Sequence, residues 1–131
     1  MNIIVCIDDD FGMMFNNRRQ SRDRAVCENV LKLALGNRVL MNSYSATLFQ
    51  DFKDLISVDD DCILNAQSGD YCFIENSCLP QSAERVIIYR WNRKYPSDKK
   101  FDVGLIKDKR LVGVEEFKGN SHDKITREIY E

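Results

Sequence analysis

Apolar residues cluster along this chain in short blocks whose spacing changes from one block to the next. Segment 2–8, NIIVCID, is β-branched and nearly continuously apolar, the pattern of a strand buried on both faces. A loop carrying Gly12 follows. From Ser21 the spacing becomes helical: Val26, Val30, Leu31, Leu33 and Leu35 recur near helical intervals, and Gly36 stands where a helix stops. Ser21 or Asp23 is placed to cap its start. RVLM, 38–41, predicts a second short strand, and YSATLFQDF predicts a short helix ending before Leu55. Strand, helix, strand, helix argues for parallel pairing through crossovers.

In the second half, CILN after SVDDD predicts a strand, and DYCFIE, 70–75, predicts another. Residues 76–83 contain Pro80 and are too few for a regular crossover helix. RVIIYRWN, 85–92, begins as an apolar strand and ends in an aromatic and basic alternation; 93–110, charged and carrying Pro96 and Gly104, reads as a loop. LVGVEEF and ITREIYE, joined by the turn-rich KGNSHD, suit an antiparallel hairpin. The expected architecture is one α/β domain over 1–131: a mixed sheet of about six to eight strands, mostly parallel, with 2–8 in its interior, an antiparallel C-terminal hairpin, and few short helices.

Composition narrows the function. The length favours one core, and 44% hydrophobic residues make that core feasible. A net charge of −2 argues against bulk attraction to polyanions, so a nucleic-acid site would be a local basic patch. IIVCI is followed at once by Asp8, Asp9 and Asp10, which suits neither a signal peptide nor a membrane span. Five scattered cysteines without a CxxC pair read as free buried thiols in a reducing cytoplasm, rather than as metal ligands or reactive groups.

The order of these elements resembles a shortened dihydrofolate reductase. That family opens with a strand like MNIIVAID, a glycine-containing loop and a helix; here the start is MNIIVCIDDDFGMMFN. RVLMNSYSATLF occupies the place of the family's second strand and G-[RK]-x-T-W-type motif. DYCFIENSCLPQSAERVIIY keeps the LP, the A and the next strand of a later segment, YPSDKKFD compares with its acidic loop, and LVGVEEFKGNSHDKITREIYE resembles its closing hairpin. The likeness runs through nearly the whole chain.

The resemblance implies NADPH and a pterin, but the expected groups are altered. The family's phosphate-cradling Gly-Gly falls at Glu75-Asn76 or Asn76-Ser77, where a carboxylate repels phosphate and side chains crowd it; NADPH is therefore disfavoured. The family's basic residue and threonine align with Ser43 and Ser45; Ser45 keeps a hydroxyl suited to phosphate, although both serines also suit the cap of a short helix beginning near Tyr44. The family's loop tryptophan is missing, the sole one being Trp91. Asp23 is the nearest acid to the family's catalytic carboxylate, with Glu28 about a turn further on; Asp23 equally suits a helix start.

In the family the first loop closes over nicotinamide and substrate; here it carries Arg18, Arg19, Arg22 and Arg24. Forked guanidinium donors suit phosphate or carboxylate. Arg18, Arg19, Gln20, Ser21 and Arg24, with Asn42, Tyr44 and Ser45 from the next crossover, form the expected ligand site, at the carboxyl ends of strands 2–8 and 38–41. The competing reading is a salt-bridged helix start using Asp8, Asp9 and Asp10. His122, the single histidine, falls in a predicted turn and reads as surface, giving Ser-His or Cys-His catalysis little support. The triplets 8–10 and 59–61 read as solvated turns rather than a cation site. YRWNRKY, 89–95, interleaves arginine and aromatics as single-strand nucleic-acid binders do, or as a half-exposed strand does.

Three functions are compatible with these residues: a divergent domain binding a small anionic or nucleotide-like ligand with reductase activity lost; an NADPH-dependent reductase with an altered cofactor site; and an RNA-associated protein. Metal-dependent chemistry of the ribonuclease Z type needs several histidines, and one is present.

Overall fold

The computed structural model describes all 131 residues. In chain order the strands are β1 (Asn2–Ile7), β2 (Gly12–Phe15), β3 (Arg18–Arg19), β4 (Val39–Met41), β5 (Ser57–Val58), β6 (Tyr71–Phe73), β7 (Arg85–Arg90), β8 (Lys99–Lys100), β9 (Leu111–Phe117) and β10 (Ile125–Tyr130). The helices are α1 (Arg24–Leu33), α2 (Ser43–Ala46) and α3 (Cys62–Asn65), with short 3-10 turns at Gln50–Leu55 and Val103–Leu105. Seven strands form one sheet in the order β5-β4-β6-β1-β7-β10-β9. The first five run parallel, and β10 is antiparallel to both β7 and β9. The chain is thus an α/β domain built on a mostly parallel mixed sheet.

Strand β1 explains its own composition. It lies between β6 and β7, and its side chains alternate between two cores. Ile4 packs on one face with Val26 and Val30 of α1, Phe73, Ile87 and Tyr89. Ile3, Val5 and Ile7 pack on the other with Leu40, Cys72, Ile88, Met13, Met14 and Phe101. Each fully buried aliphatic side chain contributes roughly 1.5–3 kcal/mol. Asp23 caps α1, accepting from the Ala25 N–H at 2.9 Å, and Gly36 adopts φ 89° just beyond its end.

Four local expectations are corrected. CILN is helix α3 rather than a strand: the Asp59 carboxylate accepts from the Asp61 N–H and from Asn65 Nδ2, which winds the segment into a turn. The edge strand is Ser57–Val58, one step earlier. YSATLFQDF divides between α2 and the turn at Gln50–Leu55, because Phe52 takes non-helical angles. The glycine loop contains β2 and β3, an antiparallel hairpin whose two-residue link, Asn16-Asn17, has φ of 54° and 59°. Paired left-handed residues are what a tight hairpin turn requires, and Asn tolerates them. Strand β8, inside the segment read as a loop, completes this second sheet by pairing with β2.

Candidate functional site

The hairpin and the turn leading into α1 divide the arginines among different surroundings. Arg19 on β3 turns inward: its Nε and Nη2 donate to the two Glu75 carboxylate oxygens at 2.9 and 3.0 Å. Its Nη2 also donates to the Tyr44 carbonyl at 3.2 Å, and its Cζ lies 4.6 Å from the Tyr44 ring centroid. Arg24 pairs with Glu28 and Asp51 on the surface. Arg18 and Arg22 are exposed and form no ion pair. Of the aspartates expected to neutralise these arginines, Asp8 and Asp10 are engaged elsewhere, and Asp9 pairs with none of them. Asp8 accepts from the Gly12, Asp10 and Tyr95 N–H groups and from Gln20 Nε2; Asp10 pairs with Lys94. Burial pushes the Asp8 carboxyl up, but these four donors outweigh it and hold the group below its ordinary range.

Two shallow clefts flank β3. One, about 570 Å³, is bordered by Arg18, Arg19, Ser21, Arg22 and Tyr44. The other, about 560 Å³, runs along Phe15, Arg18, Gln20, Tyr95 and Pro96. Arg24 lies instead in a separate 390 Å³ depression against α1 and the turn at Gln50–Leu55. The loop therefore brings Arg18, Arg19, Gln20 and Ser21 together with Tyr44 at the carboxyl end of β4, and it leaves Arg24 outside.

Asn42 and Ser45 do not border these clefts. The Asn42 side chain caps α2 through the Ser45 N–H and donates to Asn76 and Ser77, so the cap expected from the serines is supplied by Asn42. Ser45 is fully buried, and its hydroxyl has no hydrogen-bond partner. Ser43 bonds Asp60. Glu75, at the glycine position, is buried against Arg19.

The aromatic and basic strip at 89–95 is split: Tyr89 and Trp91 face the interior, while Asn92, Arg93 and Lys94 are exposed. Tyr89 and Trp91 are buried, Arg90 pairs with Glu128, and Lys94 pairs with Asp10, so neither buried ring offers a face to a base.

Sequence reasoning missed a buried polar cluster around His122. His122 is 3% exposed rather than a surface residue. Its Nδ1 lies 2.9 Å from Asp23 Oδ2, and its ring stacks on Trp91 with centroids 4.7 Å apart. Its Nε2 lies 3.0 Å from Ser21 Oγ and 3.1 Å from the Tyr95 hydroxyl. Asp23 also accepts from the Asn120 and Ser121 N–H groups, both at 2.9 Å, and from the Ser121 hydroxyl. Burial pushes its carboxyl up, but the donors from Asn120, His122, Ser121 and Ala25 outweigh burial and hold it far below the usual carboxylate range. An ionised carboxylate only accepts, so Nδ1 carries a proton and donates it to Asp23, which turns Nε2 towards the Ser21 and Tyr95 hydroxyls. The available signal was the pairing of Ser21 and Asp23 at one end of the chain with a sole histidine at the other. Their distance in sequence hid it.

No cluster of three or more His, Cys, Asp or Glu side chains is arranged around a metal position, and no helix is long and apolar enough to cross a membrane. No protein-family model and no curated protein matches the chain.

Proposed function

We propose that this chain is a divergent dihydrofolate reductase-like domain that binds a small anionic or nucleotide-like ligand and no longer transfers hydride. One observation carries the reading: Arg18 and Arg22 border the same cleft without a carboxylate partner. Two free guanidiniums on a concave surface favour phosphate or carboxylate. The family part rests on the succession of elements, from the glycine-containing loop before α1 to the closing β9–β10 hairpin.

The NADPH site does not fit. The Glu75 carboxylate stands where glycine amides should meet a pyrophosphate, and its bidentate pairing with Arg19 fills that position. The alternative of a working reductase with an altered cofactor site would require Glu75 to move aside. RNA association is the weaker reading, because Tyr89 and Trp91 are inside. Unpaired cysteines at all five positions suit a cytoplasmic setting.

The test is thermal shift and calorimetry with inorganic phosphate, ATP, NADPH, dihydrofolate and a single-stranded RNA. A phosphate-bearing small molecule is expected to raise the unfolding midpoint. Arg18→Ala or Arg22→Ala should weaken that binding roughly 10- to 100-fold, the equivalent of one charged hydrogen bond of about 1.5–3 kcal/mol. NADPH should not be consumed with dihydrofolate. Stabilisation by no anion, or binding by both variants as tight as by wild type, would refute the reading.

A further inference from the structure

We propose that Ser21 is a nucleophile, activated by His122 and oriented through Asp23, that cleaves carboxylic esters at the arginine cleft. The arrangement has the three parts such chemistry needs. Ser21 lines the cleft, the base lies 3.0 Å from its hydroxyl, and a buried carboxylate lies 2.9 Å from the far ring nitrogen. The imidazole stacks on the Trp91 ring, and the Gly119 N–H donates to the His122 carbonyl at 2.9 Å, which fixes the turn that carries it. Ser21 is half-buried whereas His122 and Asp23 are buried, so the nucleophile alone faces an incoming carbonyl.

The reaction balances without a metal or redox partner. Ser21 Oγ bonds to the ester carbon as its proton passes to His122 Nε2, and the carbonyl electrons move onto oxygen. That oxyanion collapses, the bond to the alcohol oxygen breaks, and Nε2 returns the proton to the departing alkoxide. Water then gives a proton to Nε2 and attacks the acyl-serine; collapse releases the carboxylic acid, and Ser21 recovers its proton. The positive field of Arg18 and Arg22 favours the developing oxyanion. The Tyr95 hydroxyl donates to Ser21 Oγ at 3.3 Å and lies 3.1 Å from His122 Nε2, which holds the nucleophile and base together.

Ester cleavage stands on the three side chains; only a preference for an anionic ester rests on the arginine reading above. The two are separated by offering 4-nitrophenyl acetate and mono-4-nitrophenyl succinate to the full chain. Nitrophenolate release and the mass of the intact protein are followed together. The expected result is a burst with one acyl group on the peptide containing Ser21. Ser21→Ala should lose the adduct and slow release at least about 100-fold. His122→Ala should be partly rescued by added imidazole, which a purely structural histidine would not be. For Asp23, a positioning residue, the expected signature is a low-field Nδ1 proton of His122 in the NMR spectrum, present in wild type and Ser21→Ala and absent in Asp23→Asn. Acylation of Ser21 by both esters at equal rates, unchanged in Arg18→Ala, supports the nucleophile and removes the arginine preference. An unacylated Ser21 with both esters, or release equal in wild type and Ser21→Ala, overturns the proposal.

Discussion

Replacing Asp23 by Asn exchanges one carboxylate oxygen for an NH₂ group in a site built only of donors. The side chain has 0% exposure and accepts five hydrogen bonds. If the amide nitrogen takes the Oδ1 position it meets the Ala25 and Asn120 N–H groups; at Oδ2 it meets Ser121 and His122. Either flip orphans at least two donors, each costing about 1–3 kcal/mol, and removes the charge that strengthened the rest. The expected loss is roughly 3–5 kcal/mol, comparable to breaking a buried ion pair from one side. Against a total stability of about 5–15 kcal/mol this is a large fraction. Urea unfolding followed by fluorescence of Trp91, the only tryptophan, measures it directly. The pH dependence has a fixed sign. A depressed folded-state pKa means that the ionised form stabilises the fold fully above the unfolded value near 4, and less as pH falls towards the folded value. The gap between wild type and Asp23→Asn should therefore narrow below about pH 4. Exposed Asp9→Asn, whose side chain makes no ion pair, is the control and should leave the midpoint unchanged. A gap below about 0.5 kcal/mol at neutral pH, or one that widens in acid, would refute this account of the cluster.

Two further outcomes are expected. Gly119→Ala should cost about 1–3 kcal/mol in the same assay, because the new Cβ would collide with Asp23 Oδ2 and come within 2.8 Å of Ile125 Cδ1; an unchanged midpoint would show that the loop at 119–122 yields freely. Under native conditions a disulfide reagent should titrate one thiol rapidly, Cys78, the single exposed cysteine. Burial raises Cys6 far above its ordinary value, and burial followed by the Glu75 charge raises Cys27 to about 12. Cys72 beside it holds the Cys62 thiol below its ordinary value, yet at 4% exposure it should react only on unfolding. A second rapid equivalent would contradict this assignment.

Strands β1, β7 and β10 and helix α1 were legible because each carries enough periodic apolar residues to declare both its type and its buried faces; β9, none of whose residues is buried, was legible through its turn-linked pairing with β10. CILN was not, since four apolar residues fit helix and strand alike and the decision lay with the polar Asp59 and Asn65 side chains. β2, β3 and β8 were hidden for a different reason: two of the three are the pairs Arg18–Arg19 and Lys99–Lys100, whose strand character comes from their partners. The arginine cluster was visible as composition, but its division was not: Arg19 is inside with Glu75, Arg24 lies outside the cleft, and Arg18 remains free together with Arg22. His122 was misread because Gly, Asn, Ser and Asp around it make a turn. What buries that turn is a carboxylate 99 residues away, and local pattern carries no information about such a partner.

That separation has a consequence for how the molecule comes into being. Ser21 and Asp23 leave the ribosome early, whereas Asn120, Ser121 and His122 arrive just ahead of β10. A nascent chain can assemble the parallel strands and α1 while its Asp23 still faces water. The cluster closes only when β10 inserts between β7 and β9, among the most non-local contacts in the fold and so among the slowest to form. Every partly synthesised copy, or one clipped ahead of residue 120, therefore lacks the cluster altogether. Whatever Ser21 does is withheld until β10 is in place.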